Sequence, residues 1–486
     1  MDKTGRAKIA ATHHATLRVW DDDACRRVHE ATLRLLAETG VEMHHAGARE
    51  TCAAAGARVD GTRVRLPAAL VTHALASAPR RTLLLSRGGE TGPLELAQGP
   101  TSFGTGPDCL YVSDSDTGER RRGVLADVAA AAALAERLPH IDFVMSMALP
   151  DDVDTRVLDV AQFKAMVEHT RKPIVVSSPF PGASLGVMRD MAAACGEARS
   201  LACLAMSSPP LMLDEVACDK VLTCARLDVP LVLAGSPSAG SSAPATTTAV
   251  ATVANAEMLA GLVLHQLAAP GAPYVYGAGC GAINMRTFVD VYGAPATFLG
   301  NQGMMDLAAW YGLPSWSYAG HSDSKMLDEQ WSLELAVATI LGALSRATLL
   351  HDVGYLESGM QSALEGMVLG NELAGYARAL LEELPVDDDA IALEEIMAVG
   401  PGGDHLARRM TRERHRQFWQ ADLTDQQTHE RWRAAGAQPL LARVRERLRE
   451  LQAAPPPFAL DHSIVARLDD MVAAWRDDPR CDGGPG

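Results

Sequence analysis

The chain has 486 residues, which allows one large domain with an appendage or two to three small ones. Its 60 carboxylates against 44 Lys and Arg, a formal charge of −16, argue against duplex nucleic acid or an anionic membrane as main partner. That balance suits a soluble enzyme with a neutral or cationic substrate.

Nine cysteines without a CxxC pair read as reduced thiols of a cytoplasmic protein. The first residues lack the apolar core of a signal peptide. No run reaches the roughly 18 apolar residues of a membrane span.

Residues 1–18 are expected to form a draping arm. A helix is predicted from Asp22 to Thr39 with Gly40 as its stop, and a second from Gly47 to Ala55. The stretch 58–66, turning at Asp60–Gly61, reads as a small hairpin. Pro67–Ala78 is a further helix and Leu83–Ser86 a strand. Residues 1–95 are thus assigned to an N-terminal helical cap with a small hairpin.

Beyond them, short apolar runs ending in Gly, Ser, Pro or His alternate with helical segments. The predicted strands are Thr101–Thr105, Asp142–Ala148, Pro173–Ser177, Cys203–Ser207, Pro230–Ala234, Pro273–Gly277, Ser315–Ala319 and Thr348–Asp352. Eight such units point to an α/β fold, a (β/α)8 TIM-type barrel over 96–400. An open doubly wound sheet gives the same local signals, but Gly277-Ala-Gly279-Cys-Gly281 has the wrong spacing for a dinucleotide loop. The small-residue loop Ser236–Thr248 is either a flexible connection or a mobile rim at the barrel mouth. Residues 401–475, rich in Arg, read as a solvated C-terminal helical extension, and 476–486 as a disordered tail.

The stretch Gly320–Gly359 organises the rest. It reads as a polar loop, a helix on which Trp331, Leu335, Ala338, Leu341 and Leu344 share a face, a buried strand, and a second polar loop. In a barrel of this type, chemistry sits in such loops at the C-terminal strand ends. Aromatic residues are scarce, 7 Trp, 8 Tyr and 8 Phe, yet Phe103, Tyr276, Trp316, Tyr318 and Tyr355 fall at or beside predicted strand ends. Each alone suits core packing; together they suit a cage for a quaternary ammonium. His321, Asp323, His351, Asp352 and Glu357 are the polar candidates. They would also suit a metal-dependent barrel hydrolase, but the early strands offer no His, and no bound metal is expected. Lys325 is expected to pair with Asp328 or Glu329 at a helix start.

Several stretches resemble the trimethylamine methyltransferase family, including its members without pyrrolysine. They are Ser322–Gln330 with Glu334, His351–Gly359, Val399–Gly403, Met285–Thr287, Tyr311–Pro314, Glu38–Glu42, Gly56–Val59 through Arg65–Pro67, and Thr117–Arg120. Together they span about residues 20–465, in order. The resemblance implies a barrel methyltransferase that moves a methyl group from a methylated amine, such as a betaine, to the cobalt of a corrinoid. That cofactor is carried by a separate corrinoid-binding protein docking over the barrel mouth. On this reading His351, Glu357 and Asp323 are catalytic. Phe103, Tyr276, Trp316, Tyr318, Tyr355, Arg286 and His321 bind substrate. A homo-oligomer is expected, as is the alternative of a non-catalytic methylated-amine binding protein. Asn284, Phe288 and Asp404 depart from the family pattern, which often has Asp, Gly and His there.

Overall fold

Parallel pairing of short apolar runs builds the centre of the molecule. The computed structural model describes residues 15–88, 92–115, 117–177, 182–277 and 279–482. The strands are β1 (Ser102–Phe103), β2 (143–144), β3 (Ile174–Val176), β4 (Leu201–Met206), β5 (Leu231–Ala234), β6 (Tyr274–Gly277), β7 (Ser315–Tyr318) and β8 (Leu349–His351). Seven pair side by side in parallel, from β1 through β8, β7, β6, β5 and β4 to β3. Residues of β2 bridge Gly104 on one side and Ile174 on the other, which closes the ring. The fold is a closed (β/α)8 barrel, with each of its strands within or beside an expected segment.

Alternation decides which side chains enter the ring, because successive Cβ atoms on a strand point to opposite faces. Phe143, Met145, Val175, Ala202, Leu204, Val232, Ala234, Val275, Trp316 and Leu349 form one buried cluster inside it. Phe103, Tyr274, Tyr276, Leu231, Leu233 and Leu350 belong to the larger core between strands and helices.

The floor of the barrel differs from the expected layout. A hairpin of Arg81–Leu84 and Leu94–Ala97 places Leu84, Leu94 and Leu96 in the interior cluster. It lies at the N-terminal strand ends: Leu85 N donates to Arg199 O at 2.9 Å and Arg87 N to Arg171 O at 2.8 Å. Much of what reads as the end of the cap is therefore a plug for the barrel.

The preceding helices, Asp22–Glu38, Ala46–Ala54 and Ala68–Ser77, lie against the helix Thr247–Ala268. That helix is long and apolar enough to cross a membrane, but it buries Asn255, Glu257 and His265 and packs among helices on several sides. It is a core helix. Of the expected arm, residues 1–14 lie outside the described residues, while Leu17 N donates to Leu344 O at 2.9 Å.

At the other end, helices Leu440–Ala453 and His462–Arg476 dock on the barrel through Val444, Leu448, Leu468 and Trp475. Of the expected disordered tail, residues 479–482 form a short turn whose Cys481 thiol donates to Arg156 O at 2.8 Å. Residues 483–486 lie outside the described residues.

Candidate functional site

The inward parity of β7 and β8 brings Trp316, Tyr318 and His351 to the C-terminal mouth. Trp316 stacks on His351 with centroids 4.4 Å apart and planes 22° apart. Tyr318 lies 5.1 Å from the same imidazole. A further ring comes from the loop before the helix Pro295–Tyr311: Tyr292 stacks on Tyr318 at 5.6 Å and meets His321 edge-on at 5.5 Å. Tyr355, buried in the loop after β8, donates its hydroxyl to Pro107 O. Gly106 leaves its ring the necessary space, since a Cβ there would lie 2.2 Å from it. Tyr318 and Tyr292 are enclosed by protein yet keep part of their surface open.

Beside these rings stands Asp352, the first residue after β8, at φ 73°. Left-handed backbone is uncommon outside glycine and clusters where function constrains it. Asp108, Met147, Phe288, Glu357 and Ser358 share that conformation in loops at the same end of the barrel. One carboxylate oxygen of Asp352 lies 2.5 Å from His351 Nδ1, off the angle a hydrogen bond requires. That oxygen, both ring nitrogens of His351, His321 Nδ1 and Gln361 Oε1 are buried without a hydrogen-bond partner. Native proteins pair such groups almost always, which sets these atoms, drawn from the segments after β7 and β8, apart from the rest of the core.

Burial sets the protonation of the surrounding groups. Desolvation, reinforced by the nearby Asp352 charge, holds the phenols of Tyr292, Tyr318 and Tyr355 far above the usual tyrosine range. They are neutral ring faces at any working pH. Desolvation also pushes the His321 imidazole down, against the opposing pull of Asp352 and Asp323. It too is neutral.

The other expected site residues lie elsewhere or are already engaged. Phe103 points outward from β1, beneath the Arg378 guanidinium at 5.3 Å. Tyr276 also points outward, its hydroxyl donating to Asn255 Oδ1 at 2.7 Å. Alternation keeps both from the interior face that Trp316 and Tyr318 share. Asp323 is a staple: its carboxylate accepts Tyr292 N and Gly293 N, each at 2.9 Å, and the Ser358 hydroxyl at 2.6 Å. Glu334 holds the other side of that loop through Ser322 Oγ and Asp323 N. Glu357 takes a forked contact from Arg120 at 2.7 and 3.1 Å, and that guanidinium lies 3.2 Å over the Tyr111 ring. Arg286 is exposed on a hairpin beyond β6. Lys325 bonds Asp323 O at 2.7 Å rather than an acid of the following helix. Among the described residues no three His, Cys, Asp or Glu side chains converge as an ion would need.

The hairpin beyond β6, Gly281–Asn284 with Val289–Asp290, pairs with Ser238–Ala239 in a small sheet at the mouth. The loop Ser236–Thr248 is therefore part of the rim. Around it are exposed Met206, the last residue of β4, and Met285, Phe288, Met326 and Met360 from loops at C-terminal strand ends.

The trimethylamine methyltransferase (MTTB) family matches residues 2–478. The chain belongs to that family. It is accordingly an enzyme of the methyltransferase type. A trimethylamine methyltransferase from Desulfitobacterium hafniense is 27% identical over 481 residues, covering 97% of each chain. A glycine betaine methyltransferase from the same species is 28% identical over 461 residues, covering 93% of this chain and 96% of its own. Its presence fits the branch without pyrrolysine. The crystal structure of the Methanosarcina barkeri monomethylamine methyltransferase has the same fold: TM-score 0.51 at 12% identity, covering 94% of this chain and 89% of that one.

Three departures from the family pattern have a geometric account. Asn284 Oδ1 accepts Arg286 N at 3.0 Å, a bond that an Asp would make equally. Phe288 sits at φ 56°, a position that favours glycine, and projects its ring into solvent at the rim. Asp404 caps a turn through Leu406 N at 3.0 Å. Sequence reasoning missed Tyr292, which lies on no strand, and weighed Asp352 only as one of a possible metal-ligand set.

Proposed function

We propose that this methyltransferase takes a methyl group from a quaternary or tertiary methylated amine held at the barrel mouth. The acceptor is the cobalt(I) of a corrinoid carried by a separate protein. The observation that carries this reading is the group of Trp316, Tyr318 and Tyr292 rings around His351 and His321, with the Asp352 carboxylate against His351. A quaternary nitrogen has no proton to donate, so ring faces and a carboxylate are what can hold it.

From such a substrate the leaving group is a neutral tertiary amine. The C–N electron pair departs with nitrogen as the C–Co bond forms, and cobalt(I) becomes cobalt(III). No acid is needed. What the protein supplies is alignment of the methyl group with the acceptor and exclusion of water. On this reading Trp316, Tyr318, Tyr355 and Tyr292 form the cage, while His351 and His321 position the substrate. Asp323 and Glu357 hold the loops that place them. The exposed methionines and Phe288 offer the corrinoid carrier an apolar rim. A cytoplasmic homo-oligomer is consistent with nine free cysteines and with exposed Leu384, Val386, Ile396 and Phe418.

The test mixes the purified chain with its corrinoid protein, reduced to cobalt(I), and a panel of methylated amines. Methyl-cobalt should appear with at least one of them. Absence of that signal across the panel would defeat the proposal. Ligand-induced stabilisation without turnover would identify a binding protein instead.

A further inference from the structure

The inward-facing positions of the barrel change character at one level. Alternation carries the interior phase of Val175, Leu204, Ala234 and Trp316 on to Ser177, Met206, Ser236 and Tyr318. The first four are buried, while the second four all keep surface open, Met206 the most at 43%. The ring is filled up to the first level and open above it. Two unlike walls bound that opening. On one side stand Trp316, Tyr318 and His351, with Tyr292 stacked on Tyr318. On the other side is β4, four strands from β8 in either direction round the ring, so Met206 stands opposite His351. Its neighbours in phase, Ser177 beyond β3 and Ser236 beyond β5, are short, and Ser236 meets the Tyr318 hydroxyl. Met206 is therefore the one long side chain on the β3–β5 wall among the described residues. The ladder pairing of Met206 with Ala234 fixes its direction, which no loop methionine of the rim shares.

We propose that Met206 is a specificity-determining residue whose thioether limits the substrate to methylated ammoniums with a short fourth substituent, of the size of tetramethylammonium, choline or glycine betaine, and disfavours long-chain trimethylammoniums. This rests on the methylated-amine reading of the mouth. A quaternary nitrogen shielded by methyl groups is gripped by contact from every side. Rings meet one hemisphere, and an unbranched, polarizable thioether adapts to the other. A longer chain meets Met206 on the β4 side. Its other outlet is the open mouth, where the acceptor has to approach in line with the methyl group.

Calorimetric titration of the full chain with tetramethylammonium, choline, glycine betaine and n-butyltrimethylammonium tests the assignment, with methyl transfer to the cobalt(I) corrinoid protein measured alongside. The tightest of the three short compounds should bind the wild type at least fivefold more tightly than the butyl compound. A single methylene in a pocket is worth about 10–200-fold, so Met206→Ala should move that ratio at least tenfold toward the butyl compound. Met206→Leu, which conserves volume, should keep it within about twofold. Equal or tighter binding of the butyl compound by the wild type would overturn the proposal, as would a ratio that Met206→Ala leaves unmoved. Either result accompanied by methyl-cobalt from a short amine would leave the methyltransferase reading standing. The expected shift in ratio with no methyl-cobalt from any amine would do the reverse, and binding of none of the four would overturn both.

Discussion

Asp323 offers the sharpest separation of a structural from a chemical role. It is 8% exposed and accepts three hydrogen bonds, from Tyr292 N, Gly293 N and Ser358 Oγ. Two of these fix the backbone beside the Tyr292 ring, which stacks on Tyr318. Bonds to a charged acceptor contribute about 1.5–3 kcal/mol each, and losing the acceptor strands the donors. Some of that is recovered as the loop opens to water, so Asp323→Ala should cost about 3–5 kcal/mol. Asp323→Asn, with its oxygen toward Tyr292 N and Ser358, loses the bond from Gly293 N alone and should cost about 1–2 kcal/mol. Urea denaturation followed by tryptophan fluorescence gives the stabilities, and single-turnover methyl transfer gives the chemistry. The alanine variant should lose both together, and the asparagine variant should retain most of each. If Asp323→Ala kept wild-type stability while turnover vanished, Asp323 would be a reacting group and the staple argument would be wrong.

Other positions yield shorter tests. His351→Ala should slow methyl transfer at least tenfold, about 1.4 kcal/mol of transition-state stabilisation; an unchanged rate would make its stacking on Trp316 purely structural. Gly106→Ala places a methyl group 2.2 Å from the Tyr355 ring. Overpacking of this kind costs about 1–3 kcal/mol, read as a lowered urea midpoint, and a neutral result would mean Tyr355 moves freely. Phe288→Gly should relieve about 1 kcal/mol of left-handed strain. The same change should raise the KM for the corrinoid protein without altering that for the amine; no change in either would remove Phe288 from the docking rim. Burial pushes the pKa of His265 down to about 3, from 6.5. The unfolded chain therefore binds a proton that the folded chain does not, and stability drains as pH falls through that window. The slope approaches about 1.4 kcal/mol per pH unit. His265→Gln should flatten the fall by one proton in urea titrations at different pH; an identical slope would contradict the assignment.

The barrel was legible because parallel strands covered on both faces read as short apolar runs, and their loops begin with Gly, Ser or His. The side chains that enter the ring were less so. Phe103 and Tyr276 stand at strand ends as Trp316 and Tyr318 do, but one-residue differences in phase turn them outward. Phase is set by the register of the closed ring, which a linear reading does not contain. Leu94-Glu-Leu96 alternates as a half-buried strand does, a signal that could have found the floor hairpin. Tyr292 carries no such signal. It reaches the mouth because Asp323, thirty-one positions later, grips its backbone amide. On the helix after that loop, Leu341 and Leu344 are only half-buried, and the packed face runs through Gly342 and Ala343 instead. A Cβ on Gly342 would lie 2.7 Å from Tyr318 O, so helix and strand approach too closely for a larger residue.

The central claim is that a methyl group passes intact from nitrogen to cobalt at the aromatic mouth. Single-turnover mass spectrometry with a trideuteromethyl-labelled quaternary amine and the cobalt(I) corrinoid protein measures this directly. The account predicts one labelled methyl on cobalt for each tertiary amine released, and loss of both products together when Tyr318 and Trp316 are replaced by Leu. Release of tertiary amine with no label on cobalt, or full transfer by the Leu variant, would contradict it.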